Sequence, residues 1–158
     1  MDLISDIEKS AFKKRLLDIC KGVIEQRIAS GVAAIANAQA AANEEEKSSA
    51  GDKYETSRAM SHLEKDMHAR QLTANNAELA ALFNINCARL YHAIAKGSFV
   101  DCGDCCFFIA AGLGKISFEG RNIYVVAPAA PVAKLLFQKK QNEVILFNER
   151  ELSINDVY

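Results

Sequence analysis

The sequence predicts an α+β protein: an antiparallel coiled-coil helical hairpin followed by a small antiparallel β domain with one short helix. Three observations carry this. The alphabet changes at Lys96/Gly97: the first 96 residues hold 19 Ala, 3 Gly and no Pro, whereas the last 62 hold both prolines, 5 of the 8 glycines and 8 of the 12 aromatics. Ala-rich, Pro-free sequence favours helix, while Gly-punctuated Phe, Val and Ile favour strands and turns. Apolar residues recur at alternating steps of 3 and 4 on both sides of one polar stretch in the first part. Short apolar runs pair across Gly-containing turns in the second.

The chain of 158 residues, with a formal net charge of −1, has room for one domain or two small ones. Near-neutrality argues against a binder that relies on a bulk positive field, and DNA binding is not expected. There is no apolar run of the length a membrane span requires. The start, Met1-Asp2-Leu3-Ile4-Ser5-Asp6, lacks the positive segment and apolar core of a secretory signal, so a cytoplasmic location is expected. Five cysteines, three of them within residues 102–106, form a poor disulfide framework and read as reduced thiols.

Taken in order, residues 1–88 read as the hairpin. In the first helix, Phe12, Leu16, Ile19 and Val23 are followed by Ile24, Ile28, Gly31, Ile35, Ala38 and Ala42, a coiled-coil seam with a phase shift near residues 23–28. Seven of residues 33–42 are Ala, which lets two helix backbones approach closely but buries little apolar area. The polar stretch Asn43 to Lys53 reads as the connection at a tip. The second helix resumes the 3–4 pattern at Met60, Leu63, Met67, Arg70, Ala74, Ala77 and Ala81. Residues 84–96 fit either a continued helix or the start of a sheet.

Residues 97–158 read as the β domain. Runs 98–102 and 105–109 flank Gly103-Asp104, and runs 115–118 and 122–126 flank Glu119-Gly120-Arg121: two hairpins. Pro131 suits the first turn of a short helix over 132–137. Runs 144–147 and 151–154 supply two final strands, giving four or five antiparallel strands in all.

The chemistry points to the tip. Asp52 and Glu55 are three residues apart, so on a helical turn they face the same way. Two such carboxylates suit a hard divalent cation, but Mg²⁺ needs six oxygens, and a partner would have to supply the rest. The same spacing also satisfies a capping box, with Asp52 at the N-cap and Glu55 reaching back. Both readings stand on the residues alone, and the triplet Glu44–Glu46 reads as a solvated face.

Gly51-Asp52-Lys53-Tyr54-Glu55-Thr56 resembles the tip motif of the Gre transcript-cleavage factors of bacterial RNA polymerase, which runs Gly-Asp, two variable residues, Glu-Asn. The segment Ala127 to Val144 resembles the family's Ser-Pro-x-Ser-Pro segment and the Gly-containing stretch after it. The order of parts, helical hairpin, acidic tip and FKBP-like β domain, also agrees over nearly the whole chain. The resemblance implies a non-enzyme that binds RNA polymerase, inserts the tip into its secondary channel and stimulates cleavage of backtracked RNA. Asp52 and Glu55 would direct a Mg²⁺ held jointly with the polymerase, with no metal bound alone and nascent RNA contacted only indirectly. Lys53, Tyr54 and Thr56 would modulate the tip; Pro128, Pro131, Lys134, Lys139 and Lys140 would dock on the polymerase. Departures are concentrated at the tip: Thr56 stands for the Asn, Lys53 for an apolar residue, Arg58 for an acid and Ala59 for a Tyr. In the second segment Ala127 and Ala130 replace serines, and Ala133, Gln138 and Asn142 replace glycines.

Other patterns have plainer explanations. Cys102-Gly103-Asp104-Cys105-Cys106 lacks the second ligand pair of a zinc site and reads as a hairpin turn flanked by thiols, with a redox-labile Cys102–Cys105 pair left open. Gly112-Leu113-Gly114-Lys115 is too short for a phosphate loop and reads as a turn. His62 and His68, six apart, make no metal pair, and Lys13-Lys14-Arg15, Lys21 and Arg27 read as a solvated helix face. The rival to the polymerase reading is a coiled-coil adaptor whose tip acids only cap a helix. A prolyl isomerase, the third reading, finds no support in a Trp-free sequence.

Overall fold

The computed structural model describes residues 3–47 and 51–158, with side chains over 5–44 and 55–158. Two long helices come first, α1 (Leu3–Lys47) and α2 (Gly51–Phe83). Both extend into the stretch read as the connection: 43–47 and 51–53 are helical, and residues 48–50 lie outside the described residues. Then follow β1 (Phe99–Asp101), β2 (Cys106–Ile109), β3 (Gly114–Phe118), β4 (Arg121–Val126), α3 (Pro131–Leu136), β5 (Val144–Phe147), β6 (Arg150–Ser153) and β7 (Asp156–Val157). By contacts the chain forms two compact units, one of residues 1–23 with 79–158 and one of residues 24–78. Both helices cross the boundary between them.

In the unit of residues 24–78, α1 and α2 pair antiparallel. Lys65 Nζ donates to Gln39 Oε1 at 2.6 Å, and Leu72 packs 4.0 Å from where a side chain on Gly31 would begin, so rising numbers on α1 meet falling numbers on α2. On α1 the predicted seam holds: Ile24 and Ala38 are buried, and Ile28, Gly31, Ile35 and Ala42 are half-buried. On α2 it does not. Met60, Leu63 and Met67 are 65%, 69% and 62% exposed, and Arg70, Ala74 and Ala77 are exposed too. The shielded face is instead Ser57, Ser61, His68, Leu72 and Asn75, the last only 4% exposed. Both stripes follow steps of 3 and 4. The small side chains of α1 leave room for polar neighbours, and Asn75 is satisfied by Gln71 Nε2, which donates to its Oδ1 at 3.4 Å.

The other unit is built on a five-stranded sheet of order β3-β4-β2-β1-β7, beside a two-stranded β5–β6 hairpin. The expectation of a wholly antiparallel sheet is corrected at one pair: β2 and β4 run parallel, Cys106 opposite Ile123 and Ile109 opposite Val126. The reason is connectivity, since β3 and its turn intervene and bring β4 back along β2. Both predicted hairpins form, with register Asp101↔Cys106 and Phe118↔Arg121, and the two final strands make a third, Phe147↔Arg150. Two turn on residue pairs at positive φ, Glu119-Gly120 (48°, 75°) and Asn148-Glu149 (51°, 63°), the geometry whose twist matches that of the strands. The strand β7 was not anticipated; it is two residues long.

Strand alternation gives the sheet two faces. Val100, Phe107 and Ile109 point into a core with Val132, Ala133, Leu136, Ile145 and Ile154, from α3 and the β5–β6 side. On the opposite face α1 contributes Phe12, which meets Phe99 edge-on at 5.1 Å and Phe118 at 5.6 Å. Leu16, Leu17 and Cys20 continue the buried face of α1. Ile19, expected in the seam, is 44% exposed, because the buried positions here run in steps of 4 through Phe12, Leu16, Cys20 and Ile24. Residues 84–96 are irregular rather than helix or sheet, closed by a single bridge between Ala93 and Lys140. Gly97 ends this segment at φ 92°, where a side chain would begin 3.1 Å from the Tyr91 hydroxyl.

Candidate functional site

The tip acids stand on the opening turns of α2. Gly51 to Thr56 are helical, so Asp52 lies within the first turn rather than ahead of it, and Asp52 and Glu55 are one helical step of three apart. Glu55 and Thr56 are exposed. The side chains of Asp52, Lys53 and Tyr54 lie outside the described residues. An acid in the first turn also favours the positive end of the helix dipole.

Two carboxylates on one turn offer oxygen donors of the type Mg²⁺ takes, and an exposed Glu55 leaves its donors available to a second molecule. They supply too few ligands to fill an octahedron. Among the described residues no group of three or more His, Cys, Asp or Glu is placed to hold a metal. The histidines of α2 serve other ends: His62 is exposed, and His68 Nε2 lies 3.7 Å from Glu64 Oε1, one turn away.

The proposed docking residues all lie in or beside α3. Pro131 opens the helix as its first residue, and Val132, Ala133 and Leu136 turn inward. Pro128, Pro131, Lys134 and Lys140 are exposed, as are the apolar Leu135 and Phe137. Lys139 is half-buried, its Nζ 3.9 Å from Glu143 Oε1, and the Lys140 N–H donates to Glu143 Oε2 at 2.5 Å. Gln138 and Asn142 adopt φ of 66° and 71°. Their backbones are fixed there, because the Gln138 N–H donates to the Ile94 carbonyl at 2.8 Å and the Asn142 N–H to the Ile154 carbonyl at 2.8 Å. These are two of the three positions at which the motif that 127–144 resembles carries glycine; the third, Ala133, is helical.

The basic residues near the start of α1 are not one solvated face. Lys13 is fully buried, its Nζ donating to the Arg89 carbonyl at 2.8 Å and lying 4.9 Å from the centre of the Tyr91 ring. Burial pushes its ammonium down to about 8, against a small opposing effect of the Cys87 thiol. Lys14 is exposed, Arg15 is engaged by Glu119 at 2.8 and 3.2 Å, and Lys21 lies 4.4 Å from the Phe83 ring centre. Sequence reasoning missed Lys13, and its only signal was position: it lies beside Phe12 on the face that Leu16 and Cys20 continue. Among the described residues no helix is long and apolar enough to cross a membrane. No protein-family model, no curated protein and no solved structure matches this chain.

Proposed function

We propose that this protein is a Gre-like elongation factor: it binds bacterial RNA polymerase, enters the secondary channel with its hairpin tip, and stimulates cleavage of backtracked RNA or otherwise modulates the active site. The observation that carries the reading is the placement of Asp52 and Glu55 one step of three apart on the opening of α2, in a helix pair that runs antiparallel. The positive φ at Gln138 and Asn142 supports it independently, because that is the conformation for which the family's glycines are suited. The residues Pro128, Pro131, Lys134, Lys139 and Lys140 would dock on the polymerase.

In this reading the chain is not an enzyme. Asp52 and Glu55 complete a ligand set whose remaining members belong to the polymerase. A second Mg²⁺ held there supplies charge stabilisation and an activated water for phosphodiester hydrolysis. In this reading Asp52 and Glu55 would supply the carboxylates, and Lys53, Tyr54 and Thr56 would modulate the tip. Lys53 and Arg58 lower the negative potential at the tip, so a weaker stimulation of cleavage is expected than two acids among apolar neighbours would give.

One observation favours a second reading. The exposed stripe Met60, Leu63 and Met67 follows the 3–4 spacing of a helix-pairing surface, as a coiled-coil adaptor would present. Binding separates the two. On the polymerase reading the full chain co-elutes with core RNA polymerase and is displaced by an established secondary-channel factor; failure to bind or to compete hands the protein to the adaptor reading.

A further inference from the structure

The β1–β2 hairpin places two thiols opposite each other. Strand register pairs Val100 with Phe107 and Asp101 with Cys106, so the next position pairs Cys102 with Cys105. The Cys102 N–H donates to the Cys105 carbonyl at 3.0 Å across the two-residue turn. Directly opposed antiparallel residues hold their Cα atoms about 4.5–5.5 Å apart, inside the range of about 4.4–6.8 Å that a disulfide spans. Both side chains pack against the same core as Val100 and Phe107, so they share a face. Cys106 belongs to the other face, where its Sγ donates to Asp101 Oδ1 at 3.8 Å. All five thiols are free in this structure.

We propose that Cys102 and Cys105 form a reversible dithiol–disulfide site, closed by exchange with a small disulfide of the glutathione class. The inference rests on the hairpin alone and is independent of the polymerase reading. One thiol loses its proton, and its thiolate attacks a sulfur of the oxidant, forming a mixed disulfide and expelling one small thiolate. The opposing thiolate then attacks the protein sulfur, forming the Cys102–Cys105 bond and expelling the second. Two protein thiols are oxidised, the oxidant is reduced to two thiols, and the two protons pass to them. Cys106 takes no part, since reaching either neighbour would require crossing the sheet.

Both reacting groups are half-buried, and burial pushes the Cys102 thiol up to about 12 and raises Cys105 as well. The thiolate is therefore a minor species at neutral pH. Closure is slow, and its rate rises about tenfold per pH unit between 7 and 9.

The test treats the full chain with excess oxidised glutathione, blocks remaining thiols with an alkylating reagent, and maps peptides by mass spectrometry. The expected product lacks two hydrogens, carries a link within residues 102–105 and is alkylated at Cys106. Cys102→Ser and Cys105→Ser stop at the mixed disulfide with no link formed within residues 102–105, and Cys106→Ser closes as the wild type does. A wild-type chain that halts at the mixed disulfide, or links Cys106, overturns the proposal. The wild-type map decides this even if a variant misfolds.

Discussion

At the scale of single residues, two buried groups on α1 give opposite pH signatures. Lys13, pushed down to about 8 from an ordinary value of 10.5, carries a desolvation penalty while charged. Between those values the unfolded chain binds more protons than the folded one, so this residue makes stability rise with pH. Cys20, fully buried and pushed up to about 12 from 9.0, does the reverse, and stability is lost as pH climbs from 9 toward 12. Urea denaturation at stepped pH is expected to show both. Lys13→Met removes a rise of up to about 1.4 kcal/mol per pH unit between 8 and 10.5, and Cys20→Ala removes a fall of the same size between 9 and 12. Unchanged slopes would refute these burial assignments. Phe12, wedged against Phe99 and Phe118, is the largest apolar side chain that α1 lends to the sheet; Phe12→Ala is expected to cost about 3–5 kcal/mol.

At the scale of elements, the helix pair separates what periodicity reveals from what it hides. The two helices and their antiparallel order were legible, as was the α1 seam from Ile24 to Ala42. The face of α2 was misassigned, because reading apolar residues as inward picks Met60-Leu63-Met67, and two stripes of equal period lie about a third of a turn apart. Burial against alanines and Gly31 tolerates Ser57, Ser61, His68 and Asn75, and no count of apolar residues identifies such a face. The register predicts an inversion. Met67→Gln leaves thermal stability within about 0.5 kcal/mol, whereas half-buried Leu72→Ala costs about 1–2 kcal/mol. Equal losses would place both residues on one face. In the β domain the turn chemistry made the hairpins readable, while the parallel β2–β4 pair depends on long-range connectivity that local pattern does not encode. Gln138 shows the cost of left-handed backbone on a residue with a Cβ. Gln138→Gly is expected to stabilise by up to about 1 kcal/mol, and Asn142→Gly by less, since Asn tolerates that conformation better.

At the scale of the whole molecule, the candidate function rests on two acids at the opening of α2 and on residues in and beside α3. The acidic spacing and the Pro128 to Asn142 segment were legible because each is short and local. The Cys102–Cys105 pairing was legible too, because the Gly103-Asp104 turn sets it locally, whereas the burial of Lys13 was not, since it depends on which faces tertiary packing brings together. A protein that works by lending carboxylates to another active site needs no pocket or metal set of its own, only two acids on a helix start and a domain that docks. Both acids lie on the opening turns of α2, where negative charge favours the helix dipole, so replacing each with its amide is expected to lower stability by about 0.3–1 kcal/mol.

Backtracked elongation complexes of bacterial RNA polymerase, carrying RNA labelled at its 3′ end, provide the most direct measurement. On addition of the full chain with Mg²⁺, release of a short 3′ fragment should accelerate at least about tenfold over polymerase alone, and Asp52→Asn with Glu55→Gln should return it to the intrinsic rate. Fragment release that is no faster with the protein present, or that survives the double substitution intact, would contradict the assignment of the tip acids to cleavage.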